Sequence, residues 1–96
     1  MPTLQIEHEV PSYEGWKKVF DSDPIDRKGS GVKRYRIYKL LNEPKTIVIV
    51  ELDFDDMEHL ESALQALQNL WNKVQGTVMM GPKTRIIEMI ESKEIS

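Results

Sequence analysis

The sequence predicts an α+β domain in which four antiparallel strands carry two helices on one face, in the order βαββαβ. Three observations predict it. The residues alternate with period two near both ends of the chain, two β-branched and aromatic runs flank four loop residues in the middle, and two segments carry apolar residues at three- and four-residue steps. With 96 residues the chain is expected to form one domain, residues 1–96, since a domain usually takes ~150. A core of that size makes a partner subunit a natural supplement.

Thr3 to Val10 alternates, with Leu4, Ile6, His8 and Val10 on one side and Thr3, Gln5, Glu7 and Glu9 on the other, which predicts the first strand. Pro11 and Ser12 interrupt it. Ser12 is placed to cap a helix that turns Tyr13, Trp16, Val19 and Phe20 inward and runs to about Asp21. Asp23 and Pro24 repeat the cap-and-proline start, so a further short turn is expected from Pro24 to Lys28, ended by Gly29, Ser30 and Gly31.

Val32 to Leu41 and Thr46 to Phe54 predict the second and third strands, made antiparallel by the loop residues Asn42, Glu43, Pro44 and Lys45. A four-residue loop pairs Arg36 with Glu51 and Arg34 with Asp53 on one face, and Ile37 with Val50 and Tyr35 with Leu52 on the other. Ile47, Val48, Ile49 and Val50 are apolar on both faces, as suits a central strand covered on both sides. Asp55 with Glu58 follows capping-box logic and opens a helix over residues 56–74. Its inward stripe is Met57, Leu60, Leu64, Leu67, Trp71 and Val74, flanked by Ala63 and Leu70. Gly76 is expected to stop it and Gly81 with Pro82 to close a short loop. Lys83 to Glu91 then alternates as the fourth strand. Met79 and Met80, in that loop, suit a lid, a subunit contact or a gap filler equally.

This order is the split βαβ, ferredoxin-like arrangement. Two helices cover one sheet face only. The other, carrying Gln5, Glu7, Arg34, Arg36, Ile49 and Glu51, is therefore expected to meet a second copy of the chain.

Composition narrows the function classes. Thirteen basic and 16 acidic residues leave a formal charge of −3, which argues against broad binding to nucleic acid or anionic membranes. The absence of cysteine excludes disulfides, thiolate metal sites and cysteine nucleophiles. No secretory pattern opens the sequence and no apolar stretch reaches membrane-spanning length, so a cytoplasmic location is the expectation. Lys28-Gly29-Ser30-Gly31 lacks the P-loop spacing and reads as a helix stop. Ser12, Ser30 and Ser62 lie in no nucleophile-elbow context. Lys33 to Lys39 interleaves basic and aromatic residues, but Glu7, Glu9, Glu51 and Asp53 stand where an RNA-binding sheet would present stacking aromatics, so no nucleic-acid partner is expected.

Five stretches carry a resemblance over nearly the whole chain: Ile6-Glu7-His8-Glu9-Val10, Tyr13-Glu14-Gly15-Trp16-Lys17-Lys18-Val19-Phe20-Asp21, Gly31 before the second strand, Leu52-Asp53-Phe54-Asp55 before the second helix, and Gly81-Pro82 before the fourth strand. In these the sequence resembles the dimeric α/β-barrel superfamily, and within it the small antibiotic-biosynthesis-monooxygenase-like proteins. The resemblance implies a homodimer in which two sheets join face to face with helices outside, and a small-molecule cleft between each sheet and its own helices. That superfamily holds cofactor-free oxygenases, isomerases, haem-degrading enzymes and stress proteins, so it implies architecture more than activity.

His8 is the residue with most chemistry to offer, because alternation places it on the apolar side of its strand, toward the first helix. Beside Trp16 and Phe20 it could serve as general base on an aromatic or enolisable substrate, or it could be a packed histidine bonded to backbone. Glu7 and Glu9 point the other way and His59 stands apart from His8, so no metal site is expected. Asp55 and His59 are spaced to pair on the second helix. Trp16, Phe20, Tyr35 and Trp71 suit either an ordinary core or an aromatic pocket for a planar apolar ligand, with the Tyr35 hydroxyl free to orient it. Arg27 is placed either as an anion anchor at the cleft mouth or as a solvated charge. No motif implies a cofactor. The resemblance implies either a cofactor-independent monooxygenase- or isomerase-like enzyme acting in such a cleft or a non-catalytic ligand-binding or stress-related homodimer, beside which a purely structural dimer stands as the third reading; an apolar pocket with one histidine suits either of the first two.

Overall fold

The alternating run at the N-terminus forms strand β1 (Pro2–Glu9) in the computed structural model, which describes residues 1–74 and 80–95. Helix α1 (Tyr13–Asp21), strands β2 (Val32–Lys39) and β3 (Ile47–Phe54), helix α2 (Met57–Val74) and strand β4 (Met80–Glu88) follow, so the βαββαβ order holds. The strands make one antiparallel sheet in the order β2-β3-β1-β4. β3 is thus central, which is what its two-sided apolar run requires. Leu4 and Ile6 of β1 and Val48, Val50 and Leu52 of β3 are buried with Trp16 of α1 and Leu60, Ala63, Leu67 and Trp71 of α2, and this is the core between sheet and helices. Burying each large side chain contributes about 1.5–3 kcal/mol, which outweighs the weak propensities of short elements. Among the described residues no helix is long and apolar enough to cross a membrane.

Ser12 caps α1 as predicted, its Oγ accepting the Gly15 N–H at 3.2 Å. The cap of α2 is Asp56 and not Asp55. Helical geometry begins at Met57, so the carboxylate three residues before His59 is the one that reaches a free backbone N–H; Asp56 Oδ1 accepts the His59 N–H at 2.8 Å and lies 2.8 Å from the His59 ring Nδ1 as well. His59 is thereby taken by Asp56, while Asp55 sits 3.5 Å from Lys33 Nζ. Met57 is half-exposed, and the buried stripe starts at Leu60.

The hairpin register is the predicted one, with Arg36 opposite Glu51, Arg34 opposite Asp53, Ile37 opposite Val50 and Tyr35 opposite Leu52. Its strands are shorter, since β2 ends at Lys39 and leaves Leu41 exposed in the loop. The ion pairing differs too. Arg36 alone holds both acids, giving Nε to Glu51 at 3.0 Å and a two-pronged contact to Asp53 at 2.9 and 2.8 Å.

β4 begins at Met80 and takes in Gly81 and Pro82, which the sequence assigned to a loop. The register against β1 shifts between Glu7 and Glu9. A bulge at a sheet edge is where a residue without an N–H can join a strand without breaking the ladder. The predicted stop at Gly76, and Met79, lie outside the described residues.

Gly31, just before β2, has φ +91°, and a Cβ there would stand 2.9 Å from Cδ2 of His59. Gly31→Ala therefore combines a left-handed backbone with a clash against the start of α2. A loss of about 1–3 kcal/mol is expected in urea unfolding, and an unchanged midpoint would contradict it.

Candidate functional site

The alternation of β1 turns His8 inward between Ile6 and Val10, and the side chain is only 4% exposed. Its ring lies 5.5 Å from that of Trp16, tilted by 48°. Among the described residues neither ring nitrogen has a hydrogen-bond partner. Burial lowers its pKa from 6.5 to about 4, so the ring is neutral at physiological pH, with one N–H to give and one lone pair to receive. A buried imidazole with both nitrogens unmet is an expensive arrangement.

From His8 a line of rings runs along α1 toward solvent. Trp16 and Phe20, one helical turn apart, stack at 5.1 Å, and the Arg27 guanidinium sits 4.1 Å from the centre of the Phe20 ring. The turn after α1 fixes Arg27. Asp23 and Asp26 both adopt positive φ, 56° and 53°, the Arg27 N–H donates to Asp23 Oδ1 at 2.8 Å, and Ser30 Oγ donates to the Ile25 carbonyl at 2.6 Å. Arg27 Nη1 in turn donates to the Phe20 carbonyl at 2.7 Å, and Nε lies 3.5 Å from Asp23 Oδ1.

These groups line an open cleft between sheet and helices, a cavity of about 70 Å³ that widens into solvent at its mouth. Ile6, Val50 and Leu52 of the sheet form its floor, and His8, Trp16, Phe20, Arg27 and Trp71 all line it. Five of the six residues singled out from the sequence thus meet at one cleft. Tyr35 does not line it. β2 is an edge strand, so the Tyr35 ring stands behind Phe20, edge-on at 5.0 Å, 43% exposed and 5.1 Å from the Arg27 guanidinium. Its hydroxyl is not where it could orient a ligand deep in the cleft. Pro24 and Ile25 line the cleft as well, although the sequence predicts them only as parts of a turn; Ile25, an apolar residue in a polar loop, is the available signal. Among the described residues no group of three or more His, Asp or Glu could hold a metal ion.

No protein-family model and no curated protein matches this chain. Solved structures do. A dimeric ferredoxin-like protein from an uncultured marine organism is similar over 96% of this chain and 97% of its own, with TM-score 0.67 and 13% identity. The fold is that of the dimeric ferredoxin-like proteins. SnoaB, a cofactor-independent oxygenase from Streptomyces nogalater, is similar over 95% of this chain and 94% of its own, with TM-score 0.70 and 12% identity. MhuD, with two manganese protoporphyrin IX molecules bound per active site, covers 98% and is covered to 99%, with TM-score 0.67 and 15% identity. Identities this low establish the shared fold and assign no residue a role.

Proposed function

We propose that this protein is a cytoplasmic homodimer that binds a small planar, apolar or aromatic molecule in the cleft between sheet and helices, and that it acts on it as a cofactor-independent monooxygenase- or isomerase-like enzyme with His8 as base. One observation carries the reading: a buried, neutral histidine whose two nitrogens find no partner among the described residues lines an aromatic-walled cleft. A ligand hydroxyl or enol would satisfy the ring, and the lone pair is available to take its proton. Trp16 and Trp71 would hold the planar body, and Phe20 and Arg27 would close its outer end. A base with a pKa of about 4 is weak, so it can keep a proton only while the anion it has made stays beside it. That weakness favours a second reading, ligand binding without turnover, in which His8 is a hydrogen-bonding group. The dimeric neighbour and the outer sheet face, where Ile47, Ile49 and Tyr38 stand partly or fully exposed, support the homodimer.

Native mass spectrometry of gently purified protein is expected to show a dimer with retained mass. A bare monomer would contradict both parts of the proposal. Oxygen uptake with hydroxylated naphthalenes then separates the two readings. The enzymatic one requires turnover that His8→Gln abolishes with the fold intact, and it fails if the variant turns over at the parent's rate.

A further inference from the structure

Among the described residues lining the cleft, two have titratable side chains, and they differ in charge. His8, deep inside, is neutral. Arg27, at the outer end, is a cation whose side chain is 18% exposed and is held in place rather than waving in solvent. Its Nη1 is spent on the Phe20 carbonyl and its Nε leans toward Asp23, but Nη2 makes no hydrogen bond among the described residues. Lys17, the other cation near this ring, is 5.8 Å from the Phe20 centroid and is tied to Asp21 at 2.6 Å on the exposed side of α1.

Resting on the cleft reading above, we infer that the ligand is an amphipathic acid: its flat apolar body lies along Trp16 and Phe20, and a carboxylate, sulfonate or phenolate at its outer end is received by Arg27. The geometry supports an acceptor and not merely a stacking cap. The guanidinium carbon stands 4.1 Å from the centre of the Phe20 ring, both side chains line the cleft, and Nη2 keeps N–H groups available to an acceptor there. The anchoring contacts to Phe20 and Asp23 remove the entropic cost of ordering a long side chain, so an incoming anion meets a pre-organised donor. Asp23 offsets part of the charge from the Nε side, at 3.5 Å, and is too far away to take a short hydrogen bond from the fork. A protein of net charge −3 would otherwise repel an acid, so a local cation is the feature that admits one.

Two dyes that share their rings and differ by one anionic group test this: anilinonaphthalene sulfonate, and N-phenylnaphthylamine, which lacks the sulfonate. Both tryptophans of the chain line the cleft, so quenching of their fluorescence reports occupancy there. Arg27→Gln is expected to weaken the anionic dye roughly tenfold, the scale of one charge-assisted hydrogen bond, and to leave the neutral dye within about twofold. Lys17→Gln is expected to change neither. Arg27→Lys should recover only part of the loss, since an ammonium cannot stack and donate as a fork. Equal weakening of both dyes by Arg27→Gln would mean that Arg27 only supports the wall and would overturn the inference while sparing the cleft. Binding of the neutral dye with no response of the anionic dye to Arg27→Gln would do the same. Failure of both dyes to quench the parent protein would overturn the cleft reading and this inference together.

Discussion

A His8→Leu chain is expected to be more stable than its parent at pH 7, by about 1–3 kcal/mol in urea unfolding, and to lose its ligand. Each buried polar atom left without a partner costs about 1–3 kcal/mol, and an apolar side chain of similar size removes that penalty without opening a cavity. Ile6, Val10, Val48 and Trp16 already form an apolar surround into which leucine fits. The pH dependence gives an independent check. The ring takes up a proton near 6.5 when unfolded but only near 4 when folded, so between those values the unfolded chain binds more protons and stability falls as pH falls. The full loss across that window is on the order of 3 kcal/mol, and it levels off below about pH 4. The leucine variant should lack it. Asp53, held down to about 2 chiefly by its hydrogen bond from Arg36, acts lower: its stabilisation is present above pH 3.8 and disappears as pH drops through 2, so the two groups do not overlap. A leucine variant that is less stable, with the parent's slope between pH 6.5 and 4, would show that His8 is hydrogen-bonded in solution and would remove the basis for its functional role.

The inward direction of His8 was legible because strand alternation is a local property: once Leu4 and Ile6 face the core, so must the residue two further on. The Ser12 cap and the hairpin register were legible for the same reason, each depending on neighbours a few residues apart. What escaped depended on distant partners or on fine placement. Asp55 and Asp56 are chemically identical candidates for a cap, and only the first helical residue chooses between them. Gly81 and Pro82 look like a loop until β1 supplies an edge for them to join. Pro24 and Ile25 reach the cleft because two aspartates adopt positive φ and fold the turn back over α1. Tyr35 shares the inward face of the sheet but sits on its margin, and strand order is a long-range property that alternation does not encode.

Arg36→Ala is expected to cost about 2–4 kcal/mol, and Arg34→Ala less than about 0.5, although the register puts Arg34 and not Arg36 opposite Asp53. Directly opposite positions fix where the Cβ atoms stand, but a long side chain can lean to the diagonal neighbour two residues along the facing strand. Arg36 does this, spanning Glu51 and Asp53 with three nitrogens, while Thr3 Oγ1 donates to Asp53 at 2.6 Å and Gln5 Nε2 to Glu51 at 3.0 Å. Asp53 is only 6% exposed, so removing Arg36 leaves a carboxylate out of water with a single hydroxyl to hold it. Its pKa must then rise, and the acid limb of the stability curve should move to higher pH in Arg36→Ala and stay in place in Arg34→Ala. Both variants, unfolded in urea at two protein concentrations, decide the matter. Equal losses would return Asp53 to the straight-across pairing. This network occupies the face proposed to meet a second copy, so a loss for Arg36→Ala that grows with dilution would show that the same arginine supports the sheet and the subunit contact together.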